Sequence, residues 1–317
     1  MLELFSYNMN TIKHDALPIN SKLMLPLLYV PGNHNQLKSI LRGVKKIGAC
    51  NLAICLEDAV RKDDRIAAEK NLFNIMCNLD DCPRSIFIRP SDSESFDRLL
   101  QKLPLHKISG FILPKATVSF IDEWLSISQH QCVILPIMET REALDSYGRH
   151  DLSKICSINK NMIPGARIGA NDLYSLLGGL RRPTGKTIYE TPVGHVIDCL
   201  IEAFAVNDVR LFAPVSDRIN DVISFEKEIK EDIERGLFGK TCVHPSQVDM
   251  AWKSYLPSDD EIADAERILN PKNPAVFRSN EGMLEKSCHE KWATHLLARE
   301  KIYRCLDRYF SDQHISY

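Results

Sequence analysis

The stretch Gly110 to Ala116, GFILPKA, is a short apolar run that ends in a polar tip, and this arrangement recurs along the chain. Runs rich in Val, Ile, Leu and Phe are typical of strands that helices bury on both faces. The eight runs are Leu23 to Pro31, Leu52 to Asp58, Ser85 to Ser91, Gly110 to Ala116, Gln131 to Thr140, Ala166 to Leu173, Asp208 to Asp217 and Lys240 to Gln247. Their number is that of a (β/α)8 barrel, in which each tip is a candidate active-site position.

Segments with helical spacing of apolar residues separate the runs. They are Asp64 to Met76, Phe96 to Leu103, Val118 to Ile127, Val193 to Phe204 and Ile219 to Gly236. Alternating strand and helix patterns predict parallel strands joined by right-handed crossovers, in either an open doubly wound sheet or a closed barrel. The strand count favours an α/β fold of the TIM-barrel type. The sequence after the first run, Pro31 to His34, also lacks the G-x-G-x-x-G of a dinucleotide-binding sheet.

The composition of the chain limits the kinds of molecule that it is expected to bind. The chain has 317 residues, is 44% hydrophobic and 26% charged, and carries a formal net charge of -2. With both signs interspersed, this charge argues against a nucleic-acid or anionic-membrane partner. We find no apolar stretch long enough to span a bilayer and no signal-peptide pattern at the start, so we expect a cytoplasmic protein.

The chain divides into a polar lead-in (residues 1–20), a barrel (21–256) and a C-terminal helical extension or lid (257–317). In the extension, Ser258 with Glu261 three residues later predicts a capped helix to about Leu269. A break follows at residues 270–274, and helical spacing resumes from Glu285 to Asp307. The ten cysteines form no C-x-x-C pair, which favours buried reduced thiols over a zinc site.

Acidic residues follow three of the runs. Glu57 and Asp58 end the second, Glu139 lies near the end of the fifth and Asp172 near the end of the sixth. Because the fifth and sixth strands of a barrel are neighbours, Glu139 and Asp172 could converge on one Mg²⁺ ion, whose remaining ligands would be water and substrate oxygens. The alternative is that each acid caps the helix that follows it.

Two basic tips lie at the same predicted rim. Arg89 ends the third run, and its planar guanidinium suits the carboxylate of a 2-oxo acid. A structural ion pair of Arg89 with Glu57 or Asp58 is the alternative. Lys115 ends the fourth run; a Schiff-base role requires a desolvated lysine, whereas the nearby carboxylates favour a salt bridge.

Two other motifs have simpler interpretations. The stretch Arg181 to Thr187, RRPTGKT, ends like a phosphate-binding P-loop, but Leu180 occupies the position of the required first glycine. A mobile basic loop beside the site fits it better. His244 is a candidate base at the end of the eighth run, although its position before Pro245 favours a role in shaping the turn into the next helix.

Taken in order, these residues resemble a known family, the HpcH/HpaI aldolase and citrate lyase β-subunit superfamily, in particular its stand-alone citrate-lyase-β-like members. The resemblance covers residues 24–270 or so. Its motifs are Leu28 to Asn33, Leu56 to Val60, Arg89, Leu113 to Lys115, Met138 to Thr140, Gly169 to Leu173 and Gly239 to Gln247. The C-terminal region also resembles lyase-like proteins encoded with tellurium-resistance genes.

The resemblance implies a Mg²⁺-dependent carbon–carbon bond lyase or aldolase that acts on a small 2-oxo or 2-hydroxy acid, either free or as its CoA thioester. By motif match, Glu139 and Asp172 would hold the metal, and Arg89, Glu57 and Asp58 would be catalytic. The implied substrate-binding residues are Arg89, Glu139, Ala170 and Asn171. The resemblance also implies a homo-oligomer, a trimer or hexamer. Alternatives are an acyl-CoA thioesterase or a pyruvate aldolase on the same site, and a non-catalytic accessory barrel.

The chain departs from the family pattern at three places. Ser91 stands where members often have an asparagine, and the acid that usually follows the Leu-Pro-Lys motif is absent, since Thr117 and Val118 follow Ala116. Acyl-CoA members place an aspartate from a C-terminal lid over the site, often from a neighbouring subunit. Glu290 is the acid of this chain that comes nearest to that position.

Overall fold

The computed structural model describes residues 18–312 except 49, 81, 280 and 281, with side chains described up to residue 306. Most of the predicted lead-in, residues 1–17, lies outside the described residues. The eight strands of the main sheet each lie inside one of the predicted runs or begin one residue before it. They are β1 (Leu27–Pro31), β2 (Asn51–Cys55), β3 (Ile86–Arg89), β4 (Gly110–Leu113), β5 (Ile134–Met138), β6 (Ala166–Ile168), β7 (Leu211–Phe212) and β8 (Thr241–Cys242).

All neighbouring strands are parallel, in the order β7-β6-β5-β4-β3-β2-β1-β8. The register pairs Leu27 with Asn51 and Leu52 with Ile86, so adjacent strands end at a common rim. Single bridges of Phe212 with Phe238, and of Val215 with Thr241, join the two outer strands. These bridges close the sheet, and the predicted (β/α)8 barrel is confirmed.

Thirteen α-helices lie within the described residues. They are α1 (Ile19–Lys22), α2 (Leu37–Leu41), α3 (Arg65–Cys77), α4 (Ser93–Lys102), α5 (Val118–Ser128), α6 (Arg141–Leu144), α7 (Ser146–Ile158), α8 (Ala170–Leu176), α9 (Pro192–Val206), α10 (Val222–Glu234), α11 (Pro245–Tyr255), α12 (Asp259–Leu269) and α13 (Lys286–Asp312). α2 to α10 lie between consecutive strands of the barrel, whereas α1 precedes β1 and α11 to α13 follow β8. α4 begins earlier than the predicted Phe96 because the Asp92 carboxylate accepts the Ser95 N–H at 2.8 Å. No helix in the described part of the chain is both long and apolar enough to cross a bilayer.

The core has an inner and an outer layer. Strand side chains that point into the barrel pack together there, among them Leu27, Phe87 and Phe212. Alternate side chains such as Leu28 and Ile88 point outward and pack beneath the helices. Because both faces of each strand are buried, the strands read as continuous apolar runs in the sequence.

The C-terminal extension packs against the amino-terminal end of the barrel, opposite to the rim at which the strands end. Ser258 caps α12 in a capping box with Glu261, as the sequence predicted. The expected break at residues 270–274 is present, and after it β9 (Val276–Arg278) and β10 (Met283–Glu285) form an antiparallel hairpin that the sequence did not predict. The Tyr303 hydroxyl of α13 donates to the carbonyl of Met24, which precedes β1, at 3.3 Å. α13 therefore lies at the amino-terminal end of the barrel.

Candidate functional site

The carboxyl ends of five consecutive strands bring together the charged side chains that the sequence singled out. Glu57 and Asp58 follow β2, Arg89 ends β3, Lys115 follows β4, Glu139 follows β5, and Asp172 lies in the first turn of α8 after β6. In a TIM barrel this rim carries the chemistry. Parallel pairing explains why these charged side chains lie close together, since all the strands end at the same edge of the sheet.

Arg89 lies at the centre of this cluster. Its Nη2 contacts a Glu57 carboxylate oxygen, lies 3.2 Å from Asp58 Oδ2 and 3.7 Å from Glu139 Oε1. Its Nε is buried and forms no hydrogen bond within the described residues. Burial alone would lower the pKa of Arg89, but the surrounding acidic groups, Tyr29 and Glu139 foremost, raise it. The predicted structural ion pair is therefore present, and it leaves the Nε donor of Arg89 without a hydrogen bond among the described residues.

Lys115 forms the salt bridge that its surroundings predicted. Its Nζ lies 2.7 Å from Glu57 Oε1 and 3.7 Å from Asp58 Oδ1. The hydrogen bond to Glu57 raises the pKa of Lys115, which favours the ammonium form. An ammonium lacks the lone pair that a Schiff base requires. The backbone of Lys115 is left-handed, with φ of 49°, and the Lys115 N–H donates to Glu139 Oε1 at 2.8 Å.

Glu139 is almost wholly buried, with 4% of its surface exposed. Burial raises the pKa of Glu139 to about 8; Arg89 opposes the change, while the charges of Asp172 and Glu57 reinforce it. The amide hydrogen bond from Lys115 fixes one carboxylate oxygen. A buried acid beside two other acids is a place where added positive charge is stabilising.

Gly169 allows this carboxylate to occupy its position. A Cβ at Gly169 would lie 2.1 Å from Glu139 Oε2 and 2.4 Å from the Glu139 Cβ. The second contact is with an atom next to the backbone, which a rotation of the side chain cannot relieve. The glycine is therefore required by the close approach of β5 and β6, and its φ of -94° is open to any residue.

We expect Gly169→Ala to fold but to weaken metal binding. The added methyl group has to shift the backbone at Glu139 or at residue 169 as well as the Glu139 carboxylate, and displaced ligand-orienting groups typically reduce metal affinity about 10- to 100-fold. Calorimetric titration with Mg²⁺ would measure the change, with Gly178→Ala as a control because a Cβ there meets no atom within 4 Å. Because Gly178 has a φ of +96°, circular dichroism must show that the control is folded. Unchanged Mg²⁺ affinity in Gly169→Ala would contradict this account of the glycine.

The other predicted residues of α8 have different environments. Asp172 is half-buried, and its charge acts on both Glu139 and Lys115. The side chain of Ala170 is completely buried, so it has no surface to offer a ligand. Asn171 is exposed at the rim. Any role of Ala170 in substrate binding therefore has to be carried by its backbone.

The donor set fits a hard divalent cation. Among the described residues, no group of three or more His, Cys, Asp or Glu side chains is arranged to hold a metal ion. The pair Glu139 and Asp172 offers carboxylate oxygens only, as Mg²⁺ prefers, and Mg²⁺ usually keeps several water or substrate ligands. No disulfide joins the cysteines of the described residues, and those that are buried are Cys50, Cys55, Cys156, Cys242 and Cys305.

The sequence prediction missed Tyr29, which lies beneath the cluster. Its ring centroid is 6.0 Å from the Arg89 guanidinium carbon, and its hydroxyl forms no hydrogen bond within the described residues. Leu27 and Tyr29 both pack inside the barrel, whereas Leu28 and Val30 face outward. The two-residue alternation of β1 was the signal that could have identified it.

The two remaining motifs are structural. His244 caps α11, where its Nδ1 accepts the Ser246 N–H at 3.2 Å, which matches the predicted turn. The RRPTGKT loop is less mobile than expected, because Arg182 is buried and forms an ion pair with Glu228. A short 3-10 helix follows at Ile188–Glu190 instead of the long helix of a P-loop.

Comparison with known families decides the assignment. A family model described as C-C bond lyase of the TIM-barrel fold matches residues 24–305. The chain belongs to this family. The resemblance to citrate-lyase-β-like proteins that the rim motifs carried is therefore confirmed.

Relatives within the C-C bond lyases include enzymes with different named reactions. The (3S)-malyl-CoA thioesterase of Cereibacter sphaeroides strain KD131 is 26% identical over 256 residues, which cover 80% of this chain and 83% of the relative. The citrate lyase subunit beta of Leuconostoc mesenteroides subsp. cremoris is 22% identical over 281 residues, 84% of this chain and 90% of the relative.

The fold is shared with a solved structure, CitE from Mycobacterium tuberculosis in complex with magnesium, acetoacetate and coenzyme A. The TM-score is 0.67 at 21% identity, over 87% of this chain and 97% of CitE. A likeness at this identity is one of fold. The shared fold thus covers most of this chain and nearly all of CitE.

Proposed function

We propose that the protein is a Mg²⁺-dependent carbon–carbon bond lyase that cleaves or forms the bond next to a small 2-oxo or 2-hydroxy acid, carried as a CoA thioester in at least one direction. The observation that carries this proposal is the buried acid Glu139, next to Asp172 and in ion-pair range of Arg89. This grouping supports a proposed cation site next to a guanidinium that would bind a carboxylate, at the rim where barrel enzymes react.

Glu139 and Asp172 would hold the metal. Bound there, Mg²⁺ would chelate the acid and stabilise the negative charge that develops on its oxygen when the adjacent bond breaks. Glu139 is kept in place for this by the Lys115 amide and by the absence of a side chain at Gly169. The residues present therefore fit the ion in number, type and support.

Arg89 would bind the substrate carboxylate. Its guanidinium presents five N–H donors, and the acids around it engage mainly Nη2. Glu57 and Asp58 would orient it, and Lys115 offsets part of their negative charge through its own contacts with both. Among groups that could move a proton, the Tyr29 hydroxyl lies in the barrel beneath Arg89, whereas Glu290 is exposed on α13.

The CoA thioester part of the proposal rests on the relatives. The malyl-CoA thioesterases are named for a CoA thioester, and the CitE structure contains coenzyme A together with a small acid and magnesium. Since α13 packs at the amino-terminal end of its own barrel, a lid over the site would come from a neighbouring subunit. We therefore retain the trimer or hexamer as part of the proposal.

A thioesterase is the second candidate. The malyl-CoA thioesterases align over 80% of this chain, so the same barrel can carry that named activity. The products separate the two reactions. Cleavage of malyl-CoA by a lyase yields a 2-oxo acid and acetyl-CoA, whereas hydrolysis yields free CoA and malate.

The deciding experiment combines binding with product analysis. Calorimetric titration of the native chain with Mg²⁺ and oxaloacetate or pyruvate should show metal-dependent binding, which Arg89→Ala and Asp172→Asn should lose. Glu123→Ala, an exposed acid on α5, serves as the control. Incubation with malyl-CoA then separates the two reactions, because the lyase would release glyoxylate and the thioesterase would release the free thiol of CoA. A folded native chain that binds no oxo acid and consumes no thioester would overturn the proposal.

We expect Mg²⁺ affinity to rise with pH. Because burial and the neighbouring acids raise the pKa of Glu139 to about 8, its carboxyl is largely protonated at neutral pH and must release a proton to bind the ion. Apparent affinity should fall about tenfold for each pH unit below 8 and level off above it. Titrations at pH 6, 7, 8 and 9 in two buffers of different ionisation enthalpy would measure both the slope and the proton released.

The same shift has a consequence for stability without metal. The folded protein holds the Glu139 proton more tightly than the unfolded chain does. Protonated Glu139 therefore adds to the free energy of unfolding at low pH, and this contribution is lost as pH rises through about 8. Added Mg²⁺ should restore it at high pH. A Mg²⁺ affinity that is flat from pH 6 to 9 would show that Glu139 is already ionised.

A further inference from the structure

A cavity of about 710 Å³ lies at the end of the barrel opposite to the candidate active site. Its walls come from segments that precede strands, with Pro164 before β6, Arg210 before β7 and Phe238 before β8. α13 covers it with Lys291 and His295. The volume falls in the range of ordinary small-molecule sites, roughly 300–1,000 Å³. Nothing in the proposed lyase reaction uses this end of the barrel.

One side of the cavity is apolar. Met24, Ile163, Phe204 and Leu237 line it, and each is at most 6% exposed. These side chains come from four separate segments of the chain, so the apolar surface is continuous only in the folded barrel. A hydrocarbon group placed against it would be removed from water.

The polar side of the cavity is cationic. Arg210, Lys160 and Lys291 line it, and Asp208 is the one acidic residue among the lining side chains that the structure describes. Arg235 also lines it but pairs with Asp198 at 2.8 Å, and burial lowers the pKa of His295, which favours its neutral form. Asp208 pairs with Lys291, whose Nζ lies 3.6 Å from Oδ1, and both side chains of that pair are largely exposed. The lining therefore carries an excess of positive charge.

Arg210 is a cationic side chain of this cavity that forms no direct ion pair. Burial lowers its pKa, the charge of Asp208 opposes the change, and no carboxylate lies within ion-pair distance of its guanidinium in the described part of the chain. Its Nη1 donates to the Asn20 carbonyl at 3.3 Å, and its other N–H groups make no further hydrogen bond there. A half-buried guanidinium without a direct ion pair has hydrogen-bond donors left for an anionic ligand. A carboxylate matches its fork of donors.

We infer that this cavity binds a small organic anion, a carboxylate on a hydrocarbon chain, with the acid group paired to Arg210 and the chain against the Ile163, Phe204 and Leu237 wall. The site is distinct from the rim that holds Arg89 and Glu139. Its ligand class is defined by the two surfaces together, because neither the cationic side nor the apolar side alone selects an amphiphilic anion.

Octanoate is a suitable probe, and calorimetric titration of the full-length chain is the test. We expect saturable octanoate binding, weaker binding of acetate, which lacks the chain, and none of octylamine, which reverses the charge. Arg210→Met should weaken octanoate binding at least about tenfold, in line with the loss of a charge-assisted pair. Arg42→Met is the matched control, since Arg42 also donates one hydrogen bond to a carbonyl at 3.3 Å but lies outside the cavity.

Two further variants keep the test decisive. Lys291→Glu changes an exposed side chain, so it should fold normally and still weaken octanoate binding by adding negative charge at the cavity. Arg89→Ala should bind octanoate as the native chain does, which separates this site from the proposed active site. Equal binding of octylamine, unchanged affinity in Arg210→Met and Lys291→Glu, or no saturable binding by the native chain would each overturn the inference.

Discussion

Glu139→Gln is expected to abolish Mg²⁺-dependent turnover while making the metal-free protein more stable at alkaline pH. Glutamine has the shape of glutamate, and its Oε1 can still accept the Lys115 N–H. It cannot supply the negative charge that the ion requires, however. We expect turnover to fall by at least about 100-fold, the effect typical of losing one electrostatic contact in a transition state.

The gain in stability has the same physical origin as the loss of function. Burial and the charges of Asp172 and Glu57 raise the pKa of Glu139, which means that the ionised form is held at a cost in free energy. A neutral amide removes that cost. Active sites commonly retain such unfavourable groups because the ligand compensates for them.

Thermal unfolding at pH 6 and pH 9, with and without Mg²⁺, would measure both effects. The midpoint of Glu139→Gln should exceed that of the native chain at pH 9 without the ion, and Mg²⁺ should raise only the native midpoint. Glu123→Gln, on the exposed face of α5, should match the native chain in every condition. If Glu139→Gln kept native turnover, Glu139 would not be a metal ligand.

The largest effect on stability is expected for Lys240→Met. Lys240 is completely buried, and its Nζ lies 2.8 Å from both Glu228 Oε1 and Asp232 Oδ2, which are also fully buried. Arg182 pairs with the same Glu228, and Tyr189 donates to Asp232. Removing the lysine would leave excess negative charge in the protein interior.

The cost of breaking such a pair on one side is about 3–5 kcal/mol, because the remaining charge stays desolvated. Burial already raises the pKa of Asp232 and lowers that of Lys240, so their mutual attraction only partly offsets the penalty of leaving water. Methionine fills similar volume, which confines the loss mainly to electrostatics. These ion pairs join Glu228 and Asp232 of α10 to Lys240, next to β8, and to Arg182 in the loop after α8. Breaking them would therefore destabilise the side of the barrel where these segments meet.

Urea unfolding at constant pH would determine the difference. Lys230→Met, an exposed position on α10, is the matched control and should change the free energy of unfolding by less than about 0.5 kcal/mol. Lys240→Met combined with Asp232→Asn should recover part of the loss, since the buried carboxylate of Asp232 is then neutral and Glu228 keeps its ion pair with Arg182. A native free energy of unfolding in Lys240→Met alone would show that the network is not needed for stability.

Local patterns in the sequence were enough for the framework of the fold. The eight apolar runs predicted the barrel strands because a strand buried on both faces must be apolar at every position, and Ser258 with Glu261 predicted the start of α12. The rim acids and Arg89 were also found from position alone. Parallel strands end at one edge, so residues distant in the chain are brought together by the topology.

The electrostatic state of the site depends on contacts that the sequence does not display. The raised pKa of Glu139 requires burial by neighbouring strands together with the charges of Asp172 and Glu57, and its position requires the bare backbone of Gly169. The burial of Arg182 in a network with Lys240 corrected the expected mobile loop. Desolvation is a sum over all surrounding atoms, so no local pattern encodes it.

The C-terminal region shows the same division. Periodicity predicted α12 and α13, whereas the β9–β10 hairpin was missed because its strands of three residues are too short to show a repeat. Only tertiary packing decided that α13 lies beneath the barrel, where Tyr303 reaches the Met24 carbonyl. The sequence by itself determined which elements form and which side chains meet at the rim. The tertiary structure decided their charges, their partners and the cavity at the opposite end, because those depend on which segments exclude water from one another.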